Sequence, residues 1–189
     1  MDGAAGLAIL ALAAAIGIGL IFLVAGWTKL RHRPLLAAVV ANYRVLPPPL
    51  VPIVASLLPY VELAVGVALI AGLGRIPALA AILLLAGFAA AMAVNIRRGR
   101  SHIDCGCGLS GLHQMLGWPL VARNLAFAAL LVPVLVVPAP TPFAAQLSAA
   151  QLAVAAAGGI AFFLCHLLFG AIGALTRSPA TAAFRRQAR

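Results

Sequence analysis

Residues Gly6–Trp27 read GLAILALAAAIGIGLIFLVAGW, with no charged or hydrogen-bonding side chain before the closing indole. Between Asp2 and Lys29 no residue carries charge. A helix needs about 20 apolar residues to cross the hydrocarbon core of a bilayer, so this stretch is long enough to span. A cleaved signal peptide puts its positive charge before a short apolar core, whereas here Lys29, Arg31 and Arg33 follow a long one. The stretch is expected to be a retained first membrane span.

The rest of the chain has the same character. Hydrophobic residues make up 65% of the 189 and charged residues 8%, with a mean hydropathy of +1.14. Soluble domains carry about 45–50% apolar and about 25% charged residues, so there are too few charges to coat a water-facing surface. Disorder is excluded because disordered chains are poor in apolar residues. Three cysteines exclude a disulfide-rich scaffold. The net charge of +10 is no nucleic-acid signature, since the basic residues flank apolar runs rather than gather on a folded polar face. No nucleic-acid partner is expected; the partner in contact with most of the surface is the lipid bilayer.

Four further apolar runs follow. The second lies between Arg44 and Arg75, entered through Pro47, Pro48, Pro49 and Pro52, with a helix start near Leu50 and Pro59 as a kink candidate. The third runs from about Pro77 to Asn95, the fourth from near Trp118 to Pro138, and the fifth from about Leu147 to Leu175. The expectation is all-α: a polytopic membrane helix bundle of about five transmembrane helices over residues 1–176, then a basic cytoplasmic tail over 177–189. With five spans, one side receives twelve of the thirteen Lys and Arg residues and the other only Arg75. The positive-inside rule then puts the N-terminus outside and the C-terminus in the cytoplasm. Trp27 and Trp118 both fall at the inside boundary, where indoles prefer to sit.

Polar residues inside the runs are few. A charge at mid-bilayer costs about 2.5–3.5 kcal/mol on insertion scales, so Glu62 is expected to face the bundle interior. It reads as a proton site or an anchor for Arg123 or His166, or else as a neutral structural carboxyl. Asn95, Arg123 and Asn124 end their helices on the basic side, as interfacial anchors or as functional groups. Ala11, Ala15 and Gly19 fall at helical spacing suited to close packing.

The sharpest local feature is Asp104-Cys105-Gly106-Cys107-Gly108, in a polar stretch between helices. Gly106 lets the backbone fold tightly, and a disulfide closed over so short a loop should be strained and labile. Arg97, Arg98 and Arg100 favour a thiolate and Asp104 opposes it. Redox chemistry leads; metal binding assisted by His102 and His113, and inert thiols, are the alternatives. Cys165, followed by His166, lies past the midpoint of the fifth helix, either as a small hydrophobe or as a third thiol that relays a disulfide. No cofactor and no metal-ligand set is assigned.

Several segments then resemble a known family in order: Gly26-Trp27-Thr28-Lys29-Leu30-Arg31, Tyr43-Arg44-Val45-Leu46-Pro47, Leu58-Pro59-Tyr60-Val61-Glu62, Asn95-Ile96-Arg97-Arg98-Gly99-Arg100, the Cys-Gly-Cys element and Ala122-Arg123-Asn124. Together they are similar to MauE, the methylamine utilisation membrane protein family, within the wider MauE/DoxX group of redox-associated membrane proteins. The similarity covers roughly residues 17–130. It implies a bacterial inner-membrane protein that helps mature the methylamine dehydrogenase small subunit, an exported, disulfide-rich periplasmic client, alongside a thioredoxin-like partner of the MauD type. Carried over, Cys105 and Cys107 are the redox pair, with Glu62, Arg123 and Asn124 as supporting positions.

The leading expectation is therefore a membrane thiol–disulfide component that assists maturation of an exported protein. A carrier of soft metal ions and a non-catalytic scaffold for a thioredoxin-like partner are its rivals. One tension follows from the charge rule: it puts Cys105 and Cys107 toward the cytoplasm, while the implied client is periplasmic.

Overall fold

The structure, a computed structural model, describes residues 3–103, 115–136 and 147–175. Among them the chain forms six helices: α1 (Gly3–Arg31), α2 (Arg33–Tyr43), α3 (Leu50–Ile70), α4 (Arg75–Arg97), α5 (Trp118–Val136) and α6 (Ala149–Leu175). Five of these, all but α2, are long and apolar enough to cross a membrane. This is a multi-pass membrane protein, as the five apolar runs predict.

Helix ends follow local chemistry. The Pro-rich entry closes into a turn, in which Leu50 N–H donates to the Pro47 carbonyl at 3.0 Å, and α3 starts at Leu50 as expected. Pro59 lies buried within an unbroken α3. Between α3 and α4 the chain reverses through Gly72 and Gly74, at φ 65° and 84°, a left-handed backbone that glycine adopts without steric cost. α4 then begins at Arg75, two residues before the expected Pro77, because a proline within the first helical turn removes only an N–H that has no intrahelical partner.

The helix α2 lies between the first two apolar runs, where hydropathy predicts no span. Eleven residues are too few to span. Its signals are Pro34 in the first turn and the apolar spacing Leu36, Val39, Val40 and Tyr43. Arg33 at its start lies over the Tyr60 ring at 5.0 Å and donates to the Tyr60 hydroxyl, tying α2 to α3.

In lipid no hydrophobic force drives helix against helix, so close packing of small residues holds a bundle together. Helix α1 is the central element, packed on α3, α6 and α5. Ala11, Ala15 and Ile18 are buried with Leu69 of α3, Ala78 and Ala81 of α4, Leu131 of α5 and Ala155 of α6. Where α1 meets α3 the backbones nearly touch. A Cβ on Gly19 would lie 2.9 Å from the Gly66 carbonyl, and one on Gly26 2.9 Å from the Pro59 carbonyl. A backbone oxygen cannot swing aside, so Gly19→Leu is expected to destabilise the bundle by about 1–3 kcal/mol through overpacking. Gly87→Ala is the matched control, because a Cβ there meets no atom within 4 Å. Thermal unfolding of the two purified variants checks the contrast.

Alternating spans bring Lys29 and Arg31, Arg33 and Arg44, Arg97, Arg98 and Arg100, and Arg123 to one end of the bundle, called here the basic end. Arg75 starts α4 at the other.

Candidate functional site

The basic end is also where the polar side chains enter the bundle. In a helix every Cα–Cβ bond leans toward the N-terminus. Lys29, near the C-terminus of α1, is therefore directed up into the bundle, and Glu62 on antiparallel α3 is directed down to meet it. Lys29 Nζ lies 2.8 Å from Glu62 Oε1, with the two side chains only 9% and 1% exposed. Gly26 permits the contact by letting α1 approach α3 beside the Glu62 Cβ. The ammonium also lies 5.7 Å from the centre of the Phe88 ring, a cation–π distance. The second carboxylate oxygen, Oε2, is buried without a hydrogen-bond partner among the described residues.

Glu62 thus faces the interior as expected. Its partner is neither Arg123 nor His166 but Lys29, which sequence reasoning had counted only as a flanking charge. The signal available was proximity to water: a carboxylate inside a span needs a cation, and Lys29 is the first basic residue at the end of the neighbouring span.

A second polar node joins α2 to α4. Asn95 is fully buried; its Nδ2 donates to the Tyr43 carbonyl at 2.9 Å and to the Ala91 carbonyl at 3.0 Å. Arg100 Nη1 donates to Asn95 Oδ1 at 3.1 Å, and Arg100 Nη2 to the Asn42 carbonyl at 2.7 Å. Arg98 adds a bond to the Arg44 carbonyl at 3.1 Å. The Asn42, Tyr43 and Arg44 carbonyls among these acceptors lie at the C-terminal end of α2, where no helical N–H reaches them. Asn95 is therefore a buried clamp and not an anchor reaching toward water.

On α5, Asn124 is buried and Arg123 half-buried, with Asn124 Nδ2 and Arg123 Nε lacking partners among the described residues. Unpaired buried donors cost about 1–3 kcal/mol each, so these two residues present unused hydrogen-bonding capacity at the basic end. His166 of α6 is half-buried, edge-on to Phe127 with ring centres 5.5 Å apart, and within electrostatic reach of Arg123. Cys165, one residue earlier, is exposed on α6 as a free thiol.

Asp104, Cys105, Cys107 and His113 lie outside the described residues. The flanks of their segment are described. Leu116 N–H donates to the Ile103 carbonyl at 3.2 Å, and both residues are buried with Ala89, Met92, Leu120 and Val121. The chain thus leaves and rejoins the bundle at one place at the basic end, beside the helix that carries Asn95. Among the described residues, no cluster of three or more metal-ligating side chains occurs.

The chain matches the family described as Methylamine utilisation protein MauE over residues 7–139. It is 41% identical to the Methylamine utilization protein MauE of Paracoccus denitrificans over 169 residues, covering 88% of this chain and 90% of that one. With the protein of the same name from Paracoccus versutus it shares 38% identity over 167 residues, 87% and 88% of the two chains. With that of Methylophilus methylotrophus it shares 43% over 98 residues, 51% and 52%. No solved structure matches.

Proposed function

The chain belongs to the MauE family of methylamine utilisation proteins, and from that premise we propose that it is an inner-membrane thiol–disulfide component assisting maturation of an exported protein. The methylamine dehydrogenase small subunit is the client and a MauD-type thioredoxin-like protein the partner in this proposal. The observation that carries it is the Asp104-Cys105-Gly106-Cys107-Gly108 element, two thiols one glycine apart in a segment whose flanks meet at the basic end.

The exchange balances without a cofactor. One thiolate of the Cys105/Cys107 pair attacks a sulfur of the partner's disulfide, forming a mixed disulfide and releasing the partner's other thiolate. The second thiolate of the pair then attacks the mixed disulfide. Two electrons pass to the partner, which leaves as a dithiol after taking up two protons, and Cys105 and Cys107 are left bonded. The reverse sequence oxidises the partner. Arg97, Arg98 and Arg100, at the end of α4, favour thiolates at this end of the bundle. Arg123 and Asn124 follow the segment in sequence, in the first turns of α5, and their Nε and Nδ2 donors have no hydrogen-bond partner among the described residues.

Twelve basic residues against one orient the chain with its N-terminus periplasmic, its C-terminus cytoplasmic and the Cys-Gly-Cys segment toward the cytoplasm. Reducing power from the cytoplasm would then have to cross the bundle to reach the periplasmic client. In a Cys165→Ser background, Cys105 and Cys107 are expected to resist a membrane-impermeant thiol reagent in intact cells and to react after permeabilisation. An engineered cysteine at Pro140 should react in both. Equal labelling of the native pair before permeabilisation would overturn the orientation and favour direct exchange on the periplasmic face.

Mixed-disulfide trapping tests the proposal itself. Cys105→Ser and Cys107→Ser are each introduced alone, and disulfide-linked adducts are identified after acid quenching. A thioredoxin-like protein captured by one variant and not by the double variant supports exchange. Capture of none, with full client maturation in the double variant, rejects it and leaves the scaffold role.

A further inference from the structure

We infer that the wedge between α2, α3 and α4 holds one acyl chain of an anionic phospholipid, with the lipid's phosphate on Arg44 and Arg98 at the basic end. The inference does not depend on the thiol reading. Helix α3 packs chiefly on α1 and α4 chiefly on α5, so these two consecutive helices part, with α2 beside the gap. A cavity of about 340 Å³ lies between the three, within the range of small-molecule sites, about 300–1,000 Å³. Leu83 in its lining is 63% exposed, which opens the cavity sideways to the bilayer.

The wall selects the chain. It follows one face of α4 from Leu83 through Gly87 to Met92, roughly 14 Å at the helical rise and about the depth of one leaflet of the hydrocarbon core. Apart from Lys29 and Tyr43 the lining is apolar throughout, and the Lys29 ammonium is bound to Glu62 Oε1. An apolar void excludes water, and an empty one forfeits dispersion contacts that a hydrocarbon chain restores.

The rim selects the head. Arg44 directly precedes Val45 and Leu46 of the lining, and Arg98 Nη1 donates to the Arg44 carbonyl at 3.1 Å, so both residues stand at the basic mouth of the cavity. Both are exposed. Glu62 is the only carboxylate side chain among the described residues, and Lys29 takes it. Arg44 and Arg98 thus have no acidic partner there, and a phosphate from the membrane surface supplies the missing charge. The backbone adds a second sign. Arg44 is the only non-glycine among the described residues with a positive φ, at 48°. Helices commonly end on glycine in that left-handed conformation, which it adopts at less cost. An arginine there keeps a guanidinium at the rim at the expense of backbone energy.

The full chain is purified in detergent, and bound lipid is counted by native mass spectrometry. The probes are dioleoylphosphatidylglycerol and dioleoylphosphatidylcholine, which share their chains and differ in net charge. The wild type is expected to saturate a first site with one phosphatidylglycerol, at least about tenfold more tightly than phosphatidylcholine. The double variant Arg44→Gly/Arg98→Gln keeps the left-handed turn and a side-chain donor for the carbonyl at position 44. It should bring phosphatidylglycerol down to the affinity of phosphatidylcholine. Gly87→Phe fills the trough, since a Cβ there meets nothing within 4 Å, and replacing a helical glycine improves helix propensity. It should abolish first-site binding of both lipids without lowering the unfolding temperature; if it unfolds early, the arginine variant decides alone. Excess inorganic phosphate should not displace the lipid, because the chain carries the apolar part of the affinity. Absence of a saturable site overturns the inference, as does equal affinity for the two lipids, the mark of an acyl groove that ignores charge. Binding that a folded Gly87→Phe leaves unchanged, or that phosphate displaces, overturns it in favour of a headgroup site alone. An arginine variant that binds phosphatidylglycerol as tightly as the wild type overturns it too.

Discussion

Lys29→Met is expected to lower the stability of the bundle by about 3–5 kcal/mol, and Glu62→Leu by a similar amount, because each leaves a buried charge without its counterion. At the usual sensitivity of a protein of this size the unfolding midpoint falls by about 6–20 °C. The double variant should recover most of the loss. Its two apolar side chains pack without desolvation cost, and buried ion pairs are often matched by hydrophobic replacements of similar volume. The coupling between the sites is thus large and is read directly from a double-mutant cycle on purified protein. Glu62→Gln refines the result: it keeps the shape and one acceptor for Lys29 while removing the negative charge. If Glu62→Gln is stable and inserted but client maturation stops, the carboxylate has a protonic role beyond holding α1 to α3. If all three single variants unfold at the wild-type temperature, the pair contributes nothing to the fold and the packing of Gly19, Gly26 and Gly66 holds the two helices alone.

The five spans were legible because each is a long apolar run with charges gathered at or near its ends, Glu62 in the second being the exception, and hydropathy needs little more than that to find a membrane helix. Helix α2 was hidden by the same method. Eleven residues fall below spanning length, and Leu36, Val39, Val40 and Tyr43 show their helical spacing only when read as one face. At the site, the cost of a charge in lipid was enough to turn Glu62 inward. It could not say which cation Glu62 would meet, since Lys29 is 33 positions away in sequence and their meeting depends on the antiparallel register of α1 against α3. That register is set by glycines whose role emerges only when two backbones touch. Which of its two readings Asn95 follows was hidden for a related reason. A polar residue near a helix end looks like an anchor to water, until a short helix packs its last carbonyls over it.

The Cys105/Cys107 pair carries the other large expected effect. Changing either cysteine to serine should abolish client maturation, and the double variant should be no worse, because groups that act as one unit do not lose function additively. The protein should still insert and accumulate, since both positions lie in the polar stretch between α4 and α5 rather than in a span. The two single variants are expected to differ in what they trap: the thiol that attacks first keeps the mixed disulfide when its resolving neighbour is gone, whereas the resolving thiol alone captures little. Cys165→Ser should cost far less. Cys165 is exposed on α6, and an exposed thiol on an apolar span faces lipid, where the thiolate needed for exchange is disfavoured. Maturation of the client, scored by its disulfide content in cells carrying each variant, checks all four. Equal loss in Cys165→Ser would make it a third member of the relay. The bundle would then have to present that face of α6 to a partner protein and not to lipid.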